Sequence, residues 1–125
     1  MFSLTVNAEF CAAHALVIAG QREVIHGHNF RVTACIEGNT LDGDGLLCDF
    51  HTVESFLHEI IHPFINANLN ATPPFDTLNP SAENLAKHLA DELHSRLGES
   101  LAPAARVSWV SISEAPGCIA TYRRG

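Results

Sequence analysis

Basic residues are scarce in this chain. Seven Lys and Arg stand against fourteen Asp and Glu, for a formal net charge of -7. The basic footprint that nucleic acid or an anionic membrane surface requires is missing, so neither partner is expected. Long apolar runs are missing too, and no stretch suffices to span a bilayer. The start, Met1-Phe2-Ser3-Leu4, has no basic residue, and Glu9 breaks the apolar positions early. No secretory leader is therefore expected. Cys11, Cys35, Cys48 and Cys118 form no CxxC pair. They read as reduced thiols of a cytoplasmic chain, mostly small buried hydrophobes.

What is present is the composition of a folded globule. Hydrophobic residues make up 46% and charged residues 17% of 125 positions. That excludes disorder and fits one domain over residues 1–125. Phe2, Leu4, Val6, Ala8 and Phe10 alternate with polar residues, which predicts a strand over 2–13 whose pattern runs on to His14. Ala15 to Gln21 reads as a loop broken at Gly20. A second strand is expected over 26–37, where Phe30, Val32, Ala34 and Ile36 alternate with Arg31, Thr33, Cys35 and Glu37. Val53, Phe56, Leu57, Ile60, Ile61 and Phe64 recur at helical spacing, with Thr52 as the expected N-cap. Asn66 to Pro80 reads as loop. Ser81 caps a second helix striped by Leu85, Leu89, Leu93 and Leu97 and closed by Gly98. Val107 to Glu114 and Cys118 to Tyr122 complete the chain as strands around an Ala115-Pro116-Gly117 turn. The order ββααββ predicts an α+β fold, with helices on one face of an antiparallel sheet.

Three of the eight histidines fall into one arrangement. His26 and His28 start a strand and are two apart, so both imidazoles share a face. His14 ends the first strand. If the first two strands pair antiparallel, His14 comes beside His26 and His28. Three imidazoles with a fourth position open make the donor set of a catalytic Zn²⁺. Cys11 lies on the opposite face from His14 and is excluded as a ligand. Gly27 keeps the other face uncrowded. An HxH pair alone is a weak motif, and the remaining histidines, His51, His58, His62, His88 and His94, read as surface or helix-end residues.

Phe10-Cys11-Ala12-Ala13-His14, His26-Gly27-His28-Asn29-Phe30, Asp49-Phe50, Leu69-Asn70, the run Asn79-Pro80-Ser81-Ala82-Glu83-Asn84-Leu85-Ala86, and Glu114 followed by Tyr122 occur in that order. Together they resemble the 6-pyruvoyl-tetrahydropterin synthase and 6-carboxy-tetrahydropterin synthase family over nearly the whole chain. The resemblance implies the tunnelling fold (T-fold) and trimers joined into hexamers, with active sites between subunits. It implies Zn²⁺ on His14, His26 and His28, and a pterin substrate, usually 7,8-dihydroneopterin triphosphate. The pathways it points to are tetrahydrobiopterin, folate or queuosine-type deazapurine synthesis. Glu114 matches the carboxylate that anchors the pterin, which suits a group able to accept two hydrogen bonds. Glu83 and Ser81 match further pterin-site positions. Both also have ordinary roles, an acidic first-turn residue and a helix cap.

The proton carriers of the family do not match. Arg22 stands where its cysteine belongs, and Ile65 and Asn66 stand where its Asp–His pair belongs. Two readings follow. In one, the chain is an enzyme with Glu23 as base, like those relatives that use Glu and release 6-hydroxymethyl-dihydropterin; His62 is a further candidate, and Arg22 one for binding the triphosphate. In the other, it is a zinc-containing pterin- or purine-binding module with little synthase activity.

Overall fold

The structure is a computed structural model describing residues 1–125. Strands β1 (Phe2–His14) and β4 (His26–Gly38) pair antiparallel along their whole length, with His14 opposite His26 and Ala12 opposite His28. Between them lie two-residue strands, β2 (Val17–Ile18) and β3 (Gln21–Arg22). Helix α1 (Phe50–Ile61), the short strand β5 (Ala67–Asn68), helix α2 (Ala82–Leu97) and strands β6 (Arg106–Ala115) and β7 (Cys118–Arg123) complete the chain. The main sheet runs β5-β1-β4-β6-β7. All its pairs are antiparallel except β5, which lies parallel to β1.

One face of the sheet is dry. Val6, Ala8, Phe10 and Ala12 of β1, Phe30, Val32, Ala34 and Ile36 of β4, and Val107, Val110 and Ile112 of β6 are buried there. Both helices supply the opposing layer: Val53, Leu57, Ile60 and Ile61 from α1, and Leu85, Leu89, Leu93 and Leu97 from α2. Burying each such side chain contributes about 1.5–3 kcal/mol relative to leaving it in water. The other face is polar, with Glu9 paired to Arg31 at 3.2 Å and Thr33 donating to Asn7 at 2.8 Å. Because a one-residue slip would exchange the faces, this contrast fixes the β1–β4 register. The register in turn fixes which side His14, His26 and His28 occupy.

Three expectations need correction. Asp49, not Thr52, caps α1: its carboxylate accepts the His51 N–H at 2.8 Å, and the helix begins at Phe50. The segment 15–21 is not plain loop. Val17 pairs with Arg22 and Ile18 with Gln21 around Ala19 and Gly20, whose φ angles of 52° and 78° are those a two-residue hairpin turn needs. The segment 66–80 holds β5, whose two residues lack any alternating pattern and pair because the chain is returned to the end of β1. Ser81 does cap α2, accepting the Asn84 N–H at 3.1 Å, and Gly98 closes it with φ 42°.

Candidate metal centre

His14, His26 and His28 converge on the helix-facing side at the end of the β1–β4 pair. One ligand atom from each lies within 4.8 Å of the other two. Their rings meet edge to face, with centroids 4.8–5.0 Å apart. His14 is completely buried. Its Nδ1 lies 2.8 Å from the Pro80 carbonyl and the Nδ1 of His26 lies 2.9 Å from the Val24 carbonyl, so each donates an N–H there. Those bonds select the tautomer that leaves Nε2 with a free lone pair. The Nε2 atoms of His14 and His28 are buried and have no hydrogen-bond partner. Buried polar atoms left unpaired are costly, and two imidazole lone pairs aimed at one point fit a metal ion. Burial also holds the His28 imidazole below its usual pKa, against the opposite pull of Glu114. The neutral, ligating form is thereby favoured.

The chain around His14 is braced by two asparagines. Asn70 accepts the Ala15 N–H and donates to the Ala15 carbonyl, both at 2.8 Å. Asn79 does the same for Val17, at 3.0 and 3.1 Å. Asn84 then donates to the Asn79 carbonyl at 2.9 Å. The motifs Leu69-Asn70 and Asn79-Pro80 thus complete backbone pairing where the strand stops. No periodicity in the sequence announces this role; only their place in the resemblance marks them.

Glu114 comes closest to the cluster. Its two carboxylate oxygens lie 3.8 Å from the Nε2 atoms of His14 and His28. It is the extra residue where the β6–β7 register shifts between Ser113 and Ala115. Bulges of this kind re-aim side chains beside functional sites. Glu114 follows Val110 and Ile112 at period two, but the bulge, not the spacing, sets its approach to the imidazoles. A cavity of about 340 Å³ opens next to it, lined by Glu114, Glu83, Leu16, Ala82, Ile119 and Ala120, with Cys118 at its edge. Two carboxylates and apolar walls therefore meet in one pocket, and one of them, Glu114, faces the histidine cluster.

Other positions stand apart. Glu23 braces the β2–β3 hairpin: its carboxylate accepts the Leu16 N–H at 3.0 Å, and its own N–H donates to the Leu16 carbonyl at 2.8 Å. Ser81 spends its hydroxyl on the helix cap. Arg22 is exposed beside a cleft of about 210 Å³ with Asp76, Thr77 and Asn79. Ile65 is exposed; Asn66 has φ 55° and bonds the Cys11 carbonyl at 2.6 Å. Asn66 lines a cavity of about 540 Å³ with Cys11 and Asn29, and His28 borders the same cavity. His62 is exposed at the end of α1. Gly27 has room for a side chain, as an added Cβ would come no nearer than 3.8 Å to the Ala12 carbonyl. His88 is not a surface residue; it is wedged against Phe64 and Phe75, with ring centroids 5.8 and 5.5 Å away.

The model of the 6-pyruvoyl tetrahydropterin synthase family matches residues 3–125. The chain belongs to that family. Bacillus subtilis 6-carboxy-5,6,7,8-tetrahydropterin synthase is 26% identical over 125 residues, 98% of this chain and 85% of that protein. A dihydroneopterin monophosphate aldolase of Pyrococcus furiosus is 29% identical over 91 residues, 73% of this chain and 74% of the aldolase. A solved 6-pyruvoyltetrahydropterin synthase from Plasmodium vivax, a variant with its catalytic glutamate changed to alanine, superposes with a TM-score of 0.78 at 20% identity, covering 99% of this chain and 98% of that one. The architecture is thus the family's α+β tunnelling fold, and the chain is a member of a family of pterin-processing enzymes. No helix is long and apolar enough to cross a membrane.

Proposed function

We propose that this chain is a zinc-dependent enzyme that shortens the side chain of a dihydropterin, with Glu23 as its base. The observation carrying the proposal is the pair of orphaned imidazole Nε2 atoms beside a pocket lined by Glu114 and Glu83. His14, His26 and His28 would hold Zn²⁺, which as a Lewis acid polarises oxygens of the bound ligand. Glu114 accepts hydrogen bonds from the 2-amino group and the adjacent ring N–H of the pterin. Leu16, Ala82, Ile119 and Ala120 offer the ring an apolar wall. Glu23 is held through one oxygen by Leu16, a wall residue of the same pocket, and its other oxygen takes the proton from a side-chain hydroxyl of the substrate. As that hydroxyl oxygen becomes a carbonyl, the bond from its carbon to the carbon beside the ring breaks. The ring-side carbon keeps the electron pair, spread into the dihydropterin, and takes a proton back from Glu23, so an aldehyde leaves and 6-hydroxymethyl-dihydropterin remains.

One relative favours this chemistry over the usual synthase reaction: the Pyrococcus furiosus protein is named an aldolase. Arg22, Ile65 and Asn66 agree with it, since none can replace the missing thiol or the Asp–His pair. A binding module without turnover is the second reading. It is favoured by the bond from Leu16 to Glu23, which gives one oxygen of that carboxylate a structural task.

The assembly we propose is a ring of three chains, alone or doubled into a hexamer, with sites between subunits. Its support is the sheet's two free edges: β7 has no outer neighbour, and β1 meets β5 only at Ala12 and Ala13. Unpaired edges of that length call for a partner strand. The four free cysteines fit a reducing, cytoplasmic setting.

The test is to incubate zinc-loaded protein with 7,8-dihydroneopterin triphosphate and its monophosphate and to follow products by mass spectrometry. The expected result is 6-hydroxymethyl-dihydropterin, lost in Glu23→Ala. Formation of 6-pyruvoyl-tetrahydropterin would overturn the account of the missing proton carriers. Pterin binding without any product would leave only the binding module.

A further inference from the structure

Glu114 lies between two tasks. It lines the pocket beside α2, yet its carboxylate oxygens face the unpartnered Nε2 atoms of His14 and His28 at 3.8 Å each. A tetrahedral ion with bonds of about 2.0 Å sets its ligand atoms about 3.3 Å apart. The observed separations exceed that edge by about half an ångström, within the reach of a small rotation of one glutamate side chain. The bulge at Glu114 fixes the backbone from which this side chain projects, and Ser113 spans it by donating to the Ala115 carbonyl at 2.9 Å.

We propose that Glu114 is a shuttling carboxylate. In the resting protein it fills the fourth position of the metal site; a pterin ring entering the pocket draws it off by offering two N–H groups, and so opens the metal to the ligand's own oxygen. This rests on the metal reading proposed above and adds to it a coupling between the two sites. Coupling of this kind is reciprocal: whatever the ring gains in opening the metal, a small ligand on the metal returns to the ring. It also supplies selectivity. A molecule that cannot pair with a carboxylate through two adjacent N–H groups leaves Glu114 where it is, and the metal stays closed. A carboxylate that served only as ring anchor would give no such coupling.

The test uses the full chain loaded with Co²⁺, whose visible spectrum reports its ligands, titrated with azide with and without pterin, the bare ring that carries no side chain. In the unaltered protein azide is expected to bind weakly, and saturating pterin to tighten it on the order of tenfold, a coupling of ordinary size. Glu114→Gln is expected to bind azide tightly without pterin and to show no further gain when pterin is added. Its Zn²⁺ affinity, from chelator competition, is expected to fall by about tenfold or more, as for other groups that tune a metal site. Should Glu114→Gln fail to fold, Glu114→Asp keeps the charge but withdraws the carboxylate, and is expected to behave likewise. Equal azide affinity in the unaltered and substituted proteins, indifferent to pterin, would overturn the shuttle while leaving the metal site intact. Absence of any cobalt spectrum, which His28→Ala should reproduce as the negative control, would overturn both.

Discussion

The end of the β1–β4 pair and the hairpin at 17–25 are neighbours in sequence and differ in almost every physical respect. At the strand ends His14 is completely buried, Asn70 and Asn79 complete the backbone pairing, and the ligands stand on a sheet face fixed by the core. In the hairpin Val17, Ile18, Val24 and Ile25 are exposed, and Glu23 hangs on the Leu16 bonds. The candidate ligands thus stand on strands whose register the core fixes. The proposed base sits beside a short, exposed hairpin. Chemistry can change on such a hairpin without touching the fold, which accounts for a three-histidine cluster that stands near Arg22 and Glu23 rather than a thiol.

Breaking the rigid side should have the largest effect. His14→Ala removes a ligand and strands the Pro80 carbonyl, and Zn²⁺ affinity by chelator competition is expected to fall more than about a hundredfold. Next comes Glu23. Glu23→Gln still accepts the Leu16 N–H, so its urea midpoint should match the unaltered chain while kcat falls about 10²–10⁴-fold, the range for loss of a general base. Equal losses of stability and activity would instead assign Glu23 to bracing the hairpin. Asn70→Ala leaves both buried backbone groups of Ala15 unpaired. Urea unfolding should register about 1–3 kcal/mol of destabilisation, whereas a substitution at exposed Ile18 should register almost none.

The smallest effect expected is a pH dependence far from both regions. Burial between Phe64 and Phe75 holds His88 below its usual pKa, while Glu92 and Asp91 pull it upward. With the folded value below the unfolded one, the unfolded chain takes up the proton first. Stability from this group is complete above the unfolded pKa of about 6.5 and is lost as the pH falls below it through the folded value. His88→Phe should flatten that acid limb by no more than about one proton, read from urea midpoints at several pH values.

Much of this was legible in the residues. Period-two patterns gave both long strands, and the antiparallel pairing they require brings His14 beside His26 and His28. The stripe Leu85, Leu89, Leu93, Leu97 between Ser81 and Gly98 gave α2 nearly to the residue. Elements held by contacts rather than pattern were not legible. β5 has two residues and owes its pairing to where the chain returns, and the β2–β3 hairpin has too few residues to alternate. Asp49 displaced Thr52 as cap because its carboxylate reaches the His51 N–H, a matter of geometry that the helical stripe does not register. The resemblance alone marks Glu114 as a candidate anchor for the ring, and its approach to the imidazoles depends on the bulge at the end of β6, which no spacing rule foretells.

The central claim is that His14, His26 and His28 form one metal site serving a pterin pocket. Equilibrium dialysis of the purified chain against Zn²⁺, with metal analysis per chain, tests it most directly. One Zn²⁺ per chain, lost in His26→Ala while the urea midpoint of the metal-free protein is unchanged, is the result the account predicts. No bound zinc, or one zinc per chain retained in His26→Ala, would contradict it.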